Sequence, residues 1–187
     1  SSGKQGYTIA EKLSSLGAYT TLISGPTKLS DPNVDKVVHV SSADEMMFEC
    51  DKALPVNIAI CAAAVADYKV MKQSETKIKK NGSRLDITLE ENPDILSRLS
   101  KRNDKRPDLV VGFAAETEKL EENSKIKLEK KGCDWILGNN VSNGKVIGKD
   151  TNEIHFISKS GTEKWKQMLK EEVAEKLSHK IVQHLKS

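Results

Sequence analysis

The spacing of apolar residues along the chain switches repeatedly between the two-residue period of a strand and the 3.6-residue period of a helix. Short apolar or alternating runs predict strands at residues 19–23, 36–40, 58–61, 84–89, 109–113, 134–137 and 153–158. Helical spacing predicts helices around residues 9–16, 43–54, 95–99, 117–131 and 165–185. Because strands and helices alternate, the predicted fold is α/β, with a Rossmann-like doubly wound, mostly parallel sheet.

The end of the chain carries the clearest helical period. Its apolar residues fall at helical spacing from Trp165 and Met168 through to Leu185. The run 153–158 is therefore predicted to be the last strand, and the helix that follows is predicted to pack in the core.

A basic insert interrupts this alternation at residues 69–91. Asn81-Gly82 is a typical two-residue hairpin turn, and the alternation over 84–89 supplies a strand after it. We interpret the insert as a β-hairpin that closes over a site as a flap or pairs with a second copy of the chain in a homodimer. A solvated charged loop is the alternative, since that is the usual meaning of a lysine run. The cations are Lys69, Lys72, Lys77, Lys79, Lys80 and Arg84.

Length and composition narrow the class of protein. A single domain over residues 1–187 is expected, because 187 residues is near the size of an ordinary domain. With 37% hydrophobic residues, 30% charged residues and a formal net charge of +3, we expect a soluble cytoplasmic protein that binds neither nucleic acid nor membrane. The 3 cysteines and 4 histidines are widely spaced, which predicts reduced thiols and argues against a metal cluster.

Two predicted strands end in small residues followed by a carboxylate. The strand 58–61 runs into Cys61-Ala62-Ala63, with Asp67 shortly after, and the strand ending at Phe113 runs into Ala114-Ala115-Glu116. Small side chains at the carboxyl ends of neighbouring parallel strands leave room for a ligand. The matched ends predict two walls of one crevice, with Phe113 offering a flat surface to a base. Close packing at strand-to-helix junctions is the alternative.

Two predicted helix starts carry further candidate binding groups. Ser1-Ser2-Gly3 precedes the first helix, where free backbone N–H groups attract anions. An ordinary helix cap is the alternative, because it has the same residue types. Asn92 is predicted to cap a later helix, with Pro93 in its first turn and Asp94 complementing its positive end. Capping alone would explain this second start.

Six segments of the sequence occur in the order and rough spacing of one known family. They are residues 1–6, 62–68, 77–80, 92–95, 112–117 and 139–142. Together they resemble bacterial phosphopantothenoylcysteine synthetase, the ligase part of the coenzyme A protein once called the DNA/pantothenate metabolism flavoprotein. The resemblance covers nearly the whole chain, and it depends on the order of the segments rather than on any one of them.

The resemblance implies an activity and a set of roles. Members of this family join 4′-phosphopantothenate to L-cysteine with CTP and Mg²⁺ through an acyl-cytidylate, and they release CMP and pyrophosphate. By this likeness, Asp67 holds the ribose or the metal, Lys77 acts in catalysis from a closing loop, and Phe113 lies in the cytosine pocket. The other candidate residues for binding the nucleotide are Ser1, Ser2, Gly3, Cys61, Ala62, Ala63, Asn92, Pro93, Asp94, Ile95, Lys127 and Lys131.

Lys127 and Lys131 raise a conflict between resemblance and geometry. They are four residues apart and so share one face of the predicted helix 117–131. In a simple doubly wound sheet that helix runs away from the strand exits, which predicts a position far from the crevice. The resemblance implies contact with the nucleotide.

The family pattern also extends beyond this sequence. The family has a further strand, a Gly-rich turn and an asparagine ahead of the position of Ser1, so we expect the chain to be a fragment or to lack its opening residues. A flavin-dependent decarboxylase is an expected partner, either separate or fused. Two other classes stay open: a Rossmann-like NAD(P)-dependent oxidoreductase, which requires Gly-x-Gly-x-x-Gly, and a non-catalytic nucleotide-binding module. The sequence does not decide between CTP and ATP.

Overall fold

A computed structural model describes residues 2–71, 79, 84–116, 118–140 and 151–186. Its helices are α1 (Lys4–Ser15), α2 (Ala43–Ala53), α3 (Ile95–Ser100), α4 (Leu120–Lys131) and α5 (Lys170–Lys186). Its strands are β1 (Thr21–Ser24), β2 (Lys36–His39), β3 (Ile58–Cys61), β4 (Tyr68–Val70), β5 (Leu89–Glu91), β6 (Leu109–Glu116), β7 (Trp135–Asn140), β8 (Thr151–Ser158) and β9 (Gly161–Leu169).

The central sheet has five strands in the order β3-β6-β7-β8-β9. β3, β6 and β7 are parallel, whereas β8 is antiparallel to both of its neighbours, so that β9 points the same way as β7. β1 and β2 form a separate parallel pair. The predicted α/β fold is confirmed, with parallel strands at the centre and antiparallel strands at one side.

Helices cover both faces of the central sheet. One face packs against α1 and α5, through residues such as Ile9 and Leu177. The other face packs against α3 and α4, through residues such as Leu96 and Leu128. Burial of each large apolar side chain contributes about 1.5–3 kcal/mol. These two layers fix the carboxyl ends of the strands relative to the helix starts that surround them.

The basic insert begins and ends in an antiparallel strand pair. β4 pairs with β5, with Tyr68 opposite Glu91, so an antiparallel pair joins the two ends of the insert. The predicted strand 84–89 is wrong for residues 84–88, because the strand begins only at Leu89. The predicted turn at Asn81-Gly82 lies outside the described residues. Leu85 and Ile87, in the part that is described, are 60% and 59% exposed. The roles as a flap or as a contact in a homodimer stay predictions.

The predicted final helix is wrong in its first part. Residues 161–169 form β9, and α5 follows it. Trp165 is 1% exposed while Lys164 and Lys166 are exposed, which is the two-residue period of a strand. Gly161, with φ of +135°, makes the turn that lets β9 pair back on β8. The strand ending at Ser158 is therefore not the last one.

Two further predictions concern the chemical environment of the chain. Cys50, Cys61 and Cys133 are free thiols, as predicted. No helix in the described ranges combines the length and the apolar character that crossing a bilayer requires. The cytoplasmic location stays a prediction.

Candidate functional site

The candidate site lies at the edge of the sheet where β3 and β6 end. Ala62, which follows β3 directly, faces the first turn of α1: a Cβ built on Gly6 would lie 3.6 Å from the Cβ of Ala62. On the other side of the β3 exit, the backbone N–H of Asn92 donates to the carbonyl of Asp67 at 2.8 Å. Three segments that are far apart in the sequence therefore meet at one edge.

The two strands at this edge have unequal lengths, which is where the sequence predicts a crevice. β3 ends at Cys61, opposite Gly112, whereas β6 continues to Glu116. Beyond Gly112, no described strand pairs with β6 on the side of β3. The carbonyl of Phe113 instead accepts a hydrogen bond from Lys127 Nζ at 3.0 Å. The main chain of β6 beyond Gly112 is thus unpaired on the side of β3, and the crevice that the small-residue exits predicted there stays a prediction.

Asn92 holds the loop that follows β3. Its side-chain amide donates to the carbonyl of Ala66 at 2.9 Å, and its backbone N–H donates to Asp67. These bonds fix the backbone of Asp67, whose exposed carboxylate makes no hydrogen bond or ion pair with the described residues. Such a carboxylate suits a ribose hydroxyl or a hard cation. The prediction that Asn92 caps the next helix is wrong, because its side chain bonds to this loop.

Asp94 is the residue that caps α3. Its carboxylate accepts a hydrogen bond from the Ser97 N–H at 3.0 Å and another from Lys131 Nζ at 2.5 Å. Partial burial raises the pKa of Asp94, but the bonds from Lys131 and Ser97 and the nearby charge of Lys101 outweigh burial and lower the net pKa below its ordinary value. The carboxylate is therefore ionised at neutral pH and joins the start of α3 to the end of α4.

The structure resolves the conflict over Lys127 and Lys131. The main chain of α4 runs as the doubly wound geometry predicts, but the inference that its lysines lie far from the crevice is wrong. Lysine side chains extend well beyond their own helix, and these two reach Phe113 and Asp94. α3 is only 6 residues long, so that its start lies within reach of the end of α4.

The start of α1 brings a helix dipole to the same edge. Gly3 has φ of +77°, and a Cβ there would lie 2.8 Å from Thr27 Cγ2, so that both backbone conformation and space require glycine. Ser2 Oγ accepts a hydrogen bond from the backbone N–H of Lys4 at 3.4 Å. The positive end of α1 lies beside Ala62, which is where the sequence predicted an anion site.

Cys61 offers its backbone to the crevice rather than a reactive thiol. Burial raises the pKa of its thiol to about 12, so that the side chain is neutral at physiological pH. The side chain packs with Val40 and Met46 in the cluster beneath the crevice. This arrangement agrees with a backbone contact to a ligand, which stays a prediction.

The described candidate residues converge on this edge from several elements. Ser1 and Lys77 lie outside the described residues, and Ile95 is buried in the core, so that only its backbone is available to a ligand. Their contacts with a nucleotide stay predictions. The candidates in the described ranges are Ser2, Gly3, Cys61, Ala62, Ala63, Asp67, Asn92, Pro93, Asp94, Ile95, Phe113, Lys127 and Lys131.

Sequence reasoning missed two lysines near this edge. Lys101 lies close enough to Asp94 to lower its pKa, and its ammonium donates to the carbonyl of Lys130 at 2.7 Å. Lys170 begins α5 and is only 8% exposed. The sequence did contain a signal for the burial of Lys170. This residue stands three positions before Val173, on the apolar stripe of the helix, where a lysine is unusual.

Known proteins resemble this chain over nearly its whole length. Residues 1–185 match the family described as DFP, DNA/pantothenate metabolism flavoprotein C-terminal domain. The chain is 40% identical over 184 residues to the coenzyme A biosynthesis bifunctional protein CoaBC of Haemophilus influenzae, an alignment that covers 98% of this chain and 46% of that protein. The chain therefore spans about half the length of this relative.

Solved structures share the fold. A crystal structure of the C-terminal domain of CoaBC has a TM-score of 0.81 and 34% identity, and the match covers 100% of this chain and 84% of that one. A Cab2 mutant in complex with phosphopantothenate-cysteine has a TM-score of 0.74 over 100% of this chain and 81% of that one, but its 15% identity shows the fold alone. Because residues 1–185 match this family, the chain belongs to the DNA/pantothenate metabolism flavoprotein C-terminal domain family, as the resemblance to phosphopantothenoylcysteine synthetase predicted.

Proposed function

We propose that the chain is the ligase domain that joins 4′-phosphopantothenate to L-cysteine with CTP, through an acyl-cytidylate, giving 4′-phosphopantothenoylcysteine, CMP and pyrophosphate. Family membership and the arrangement at the strand exits support the proposal. The ligand named in the Cab2 complex, phosphopantothenate-cysteine, is the product of this reaction.

The observation that carries the proposal is the pair of contacts made by α4. Lys131 pairs with Asp94 and Lys127 donates to the carbonyl of Phe113, which brings two ammonium groups to a crevice lined by main chain and alanines. The positive end of α1 lies beside the same crevice. The ammonium of Lys127 and the positive end of α1 suit the phosphates of a nucleotide whose base lies in the slot, and Lys131 would reach the phosphates by exchanging its partner Asp94 for them.

Recognition of the base would come from the crevice walls. Phe113 is partly buried against the core, so that its ring is held in place beside the open end of β6. The backbone groups of Cys61, Ala62 and Ala63 would read the edge of the base, and Asn92 and Pro93 would line the opposite side. Because backbone groups would make the hydrogen bonds to the base, the preference for CTP over ATP would depend on the size and shape of the slot rather than on one side chain.

Asp67 would hold Mg²⁺ or the ribose. Its carboxylate is exposed, makes no bond with the described residues and is positioned by Asn92. Within the described part of the chain, no three His, Cys, Asp or Glu side chains form a metal site by themselves. Mg²⁺ commonly takes one or two carboxylates together with substrate phosphates, so a single carboxylate fits this cation. Bound Mg²⁺ would neutralise phosphate charge.

The chemistry divides into two displacements. The carboxylate of 4′-phosphopantothenate attacks the α-phosphorus of CTP, and pyrophosphate leaves with the electrons of the broken P–O bond. The amine of cysteine then attacks the acyl carbon, CMP leaves, and the amine loses a proton. Lys77, which the family resemblance assigns to a closing loop, would stabilise the charge that builds on the phosphate oxygens in the first step.

The reaction is tested by pyrophosphate release. We expect the whole protein to release pyrophosphate continuously when CTP, 4′-phosphopantothenate and L-cysteine are all present. A non-catalytic module would bind CTP without releasing pyrophosphate, and an oxidoreductase would respond to NAD(P) instead. Absence of release, or equal release without 4′-phosphopantothenate, would contradict the proposal.

A matched pair of variants tests the observation that carries the proposal. Lys131→Met should raise the KM for CTP about tenfold or more, because it removes a charge-assisted contact. Lys130→Met removes an exposed neighbouring charge and should leave the KM unchanged. Equal effects in the two variants would mean that only the general charge of α4 matters.

The partners follow from the same proposal. We propose that the exposed apolar stripe on the hairpin, which includes Leu85 and Ile87, is covered in a homodimer. The H. influenzae relative is bifunctional and about twice as long as this chain, which supports association with a flavin-dependent decarboxylase. Sedimentation of the protein with and without Leu85→Glu tests the first of these.

A further inference from the structure

The end of α4 lies against the residue that follows α3. This residue is Lys101, whose Nζ donates to the carbonyl of Lys130 at 2.7 Å. A Cβ built on Gly132, which ends α4, would lie 3.4 Å from Cγ and 3.5 Å from Cε of Lys101. The side chain of Lys101 therefore crosses the end of α4, next to the peptide that joins Lys130 to Lys131.

This corner of the site holds two ammonium groups and one carboxylate. Lys131 Nζ pairs with the carboxylate of Asp94 at 2.5 Å, and Asp94 and Lys101 line the same open cavity of about 540 Å³. Although partial burial raises the pKa of Asp94, the bond from Lys131 and the nearby charge of Lys101 contribute to its net lowering. The two lysines together thus carry one more positive charge than Asp94 balances.

Two arginines line the same cavity but are held by another carboxylate. Arg98 Nη2 lies 2.9 Å from Asp51 Oδ2, and Arg102 Nη1 lies 2.5 Å from Asp51 Oδ1. Lys101, in contrast, forms no ion pair within the described part of the chain, and its acceptor is a neutral carbonyl. Among the cations that line the cavity, Lys101 is therefore the one that can move to a carboxylate without breaking an ion pair.

A ligand that takes Lys131 would leave Asp94 without its ion-pair partner. The N–H of Ser97 would still donate to the carboxylate, but it is a neutral group. A partly buried carboxylate is destabilised when its counter-ion is removed. Lysine has a flexible stem, so the ammonium of Lys101 can turn from the end of α4 towards Asp94.

We propose that Lys101 is a positioning residue that replaces Lys131 as the counter-ion of Asp94 when Lys131 turns to the phosphates of the nucleotide. The inference rests on the proposed function and deepens it, because it explains how a lysine that is held in an ion pair becomes available to a ligand. The phosphate brings negative charge to a corner with a surplus of positive charge, so that both the phosphate and Asp94 then have a cation.

The first test measures the Kd for CTP by calorimetric titration of the whole protein. Lys101→Met keeps a flexible stem and removes the charge, and it should raise the Kd about threefold to fivefold. The effect is modest because the side chain of Asp94 is 46% exposed and solvent screens the pair. Lys101→Arg keeps the charge and should bind CTP like the unmodified protein. Lys130→Met is the matched control, because it removes an exposed charge and keeps the carbonyl.

A second background separates this exchange from a structural role at the end of α4. Asp94→Asn has no charge that needs a counter-ion, so adding Lys101→Met to it should change the Kd for CTP by less than about twofold. If Lys101 only held the end of α4, its loss would weaken binding equally in both backgrounds, and that result overturns the inference. An unchanged Kd in Lys101→Met, or equal weakening by Lys130→Met, overturns it as well.

The exchange is also tested without a nucleotide. In the described part of the chain, the charged groups that face Asp94 are Lys131 from α4 and Lys101 from the end of α3. NMR titration of the Asp94 carboxyl should give a higher pKa in the double variant Lys131→Met/Lys101→Met than in Lys131→Met, because the remaining counter-ion is then lost. Equal pKa values overturn the inference. If the pKa values differ but the unmodified protein does not bind CTP, the counter-ion role of Lys101 stands and the proposed ligase function fails.

Discussion

Asp94 offers a quantitative test of how the site is held together, because one carboxylate makes two separable contacts. It caps α3 through the N–H of Ser97 and pairs with Lys131 at the end of α4. Asp94→Asn keeps a side chain that caps helices well but removes the charge, whereas Asp94→Ala removes both contacts. The two variants therefore divide the contribution into a cap and an ion pair.

The magnitudes follow from exposure. Loss of an N-cap costs about 1 kcal/mol. The Asp94 side chain is 46% exposed and that of Lys131 is 24% exposed, so solvent screening limits the pair to about 0.5 kcal/mol. We expect the free energy of unfolding to fall by about 1.5 kcal/mol in Asp94→Ala and about 0.5 kcal/mol in Asp94→Asn. For a chain of this size, that corresponds to about 3–6 °C and 1–2 °C in melting temperature.

The pH dependence provides a second check with a defined sign. The folded pKa of Asp94 lies below its ordinary value of 3.8, so the carboxylate stabilises the fold at pH values above the ordinary one. This contribution should be lost as the pH falls below 3.8 and through the lower folded pKa. The difference in stability between the unmodified protein and Asp94→Asn should therefore be constant at neutral pH and shrink in acid.

Urea unfolding followed by circular dichroism measures these differences, with Asp104→Asn as the control because its side chain is 73% exposed. The control should change the free energy of unfolding by less than about 0.5 kcal/mol. An Asp94→Asn variant as unstable as Asp94→Ala would show that the ion pair, not the cap, dominates. An Asp94→Ala variant with unchanged stability would refute both contacts.

Three further predictions concern the flap, the crevice floor and the last strand. Lys77→Gln should lower turnover about a hundredfold or more with little change in melting temperature, because its expected role is to stabilise charge on the phosphates; a large fall in melting temperature would mean a structural role. Cys61, whose thiol pKa is raised to about 12 by burial, should resist iodoacetamide at neutral pH until the protein is unfolded, as mass spectrometry would detect; rapid labelling of the native protein would contradict its burial. Trp165→Ala should cost about 3–5 kcal/mol in urea unfolding, with Lys166→Ala as an exposed control, and a loss below about 1 kcal/mol would contradict the position of Trp165 in the core.

Local chemistry made part of the fold predictable from the sequence. The start of α2 is an example: Ser42 accepts a hydrogen bond from the Glu45 N–H, while the Glu45 carboxylate accepts from the Ser41 N–H. A serine followed three residues later by glutamate is a known capping pattern, so this helix start can be predicted from local sequence. The exits of β3 and β6 were predictable for a similar reason, since short apolar runs ending in alanines carry their own signal.

The errors arose where distant contacts decide the structure. Trp165 and Leu169 fit both a helical and a strand period, and pairing with Ile154 on β8 selects the strand. Asn92 has the chemistry of a helix cap, but the carbonyl of Ala66 is a partner that only the fold brings near. The contact between Lys131 and Asp94 could not be predicted either. The sequence does not show that α3 is short enough for its start to lie near the end of α4.

The open stretch of β6 beyond Gly112 gives this crevice a particular mutational behaviour. A substitution changes a side chain and leaves the main-chain groups in place. Substitutions therefore change this slot mainly by changing its width. Gly112 lies at the point where the slot begins, and a Cβ there would approach within 2.6 Å of Leu96 and 2.8 Å of Ile136. A methyl group added at Gly112 would displace the side chains of Leu96 and Ile136 and so shift β6 relative to its neighbours. Under the proposed function, the choice between a pyrimidine and a purine base would then depend partly on buried residues that do not contact the base.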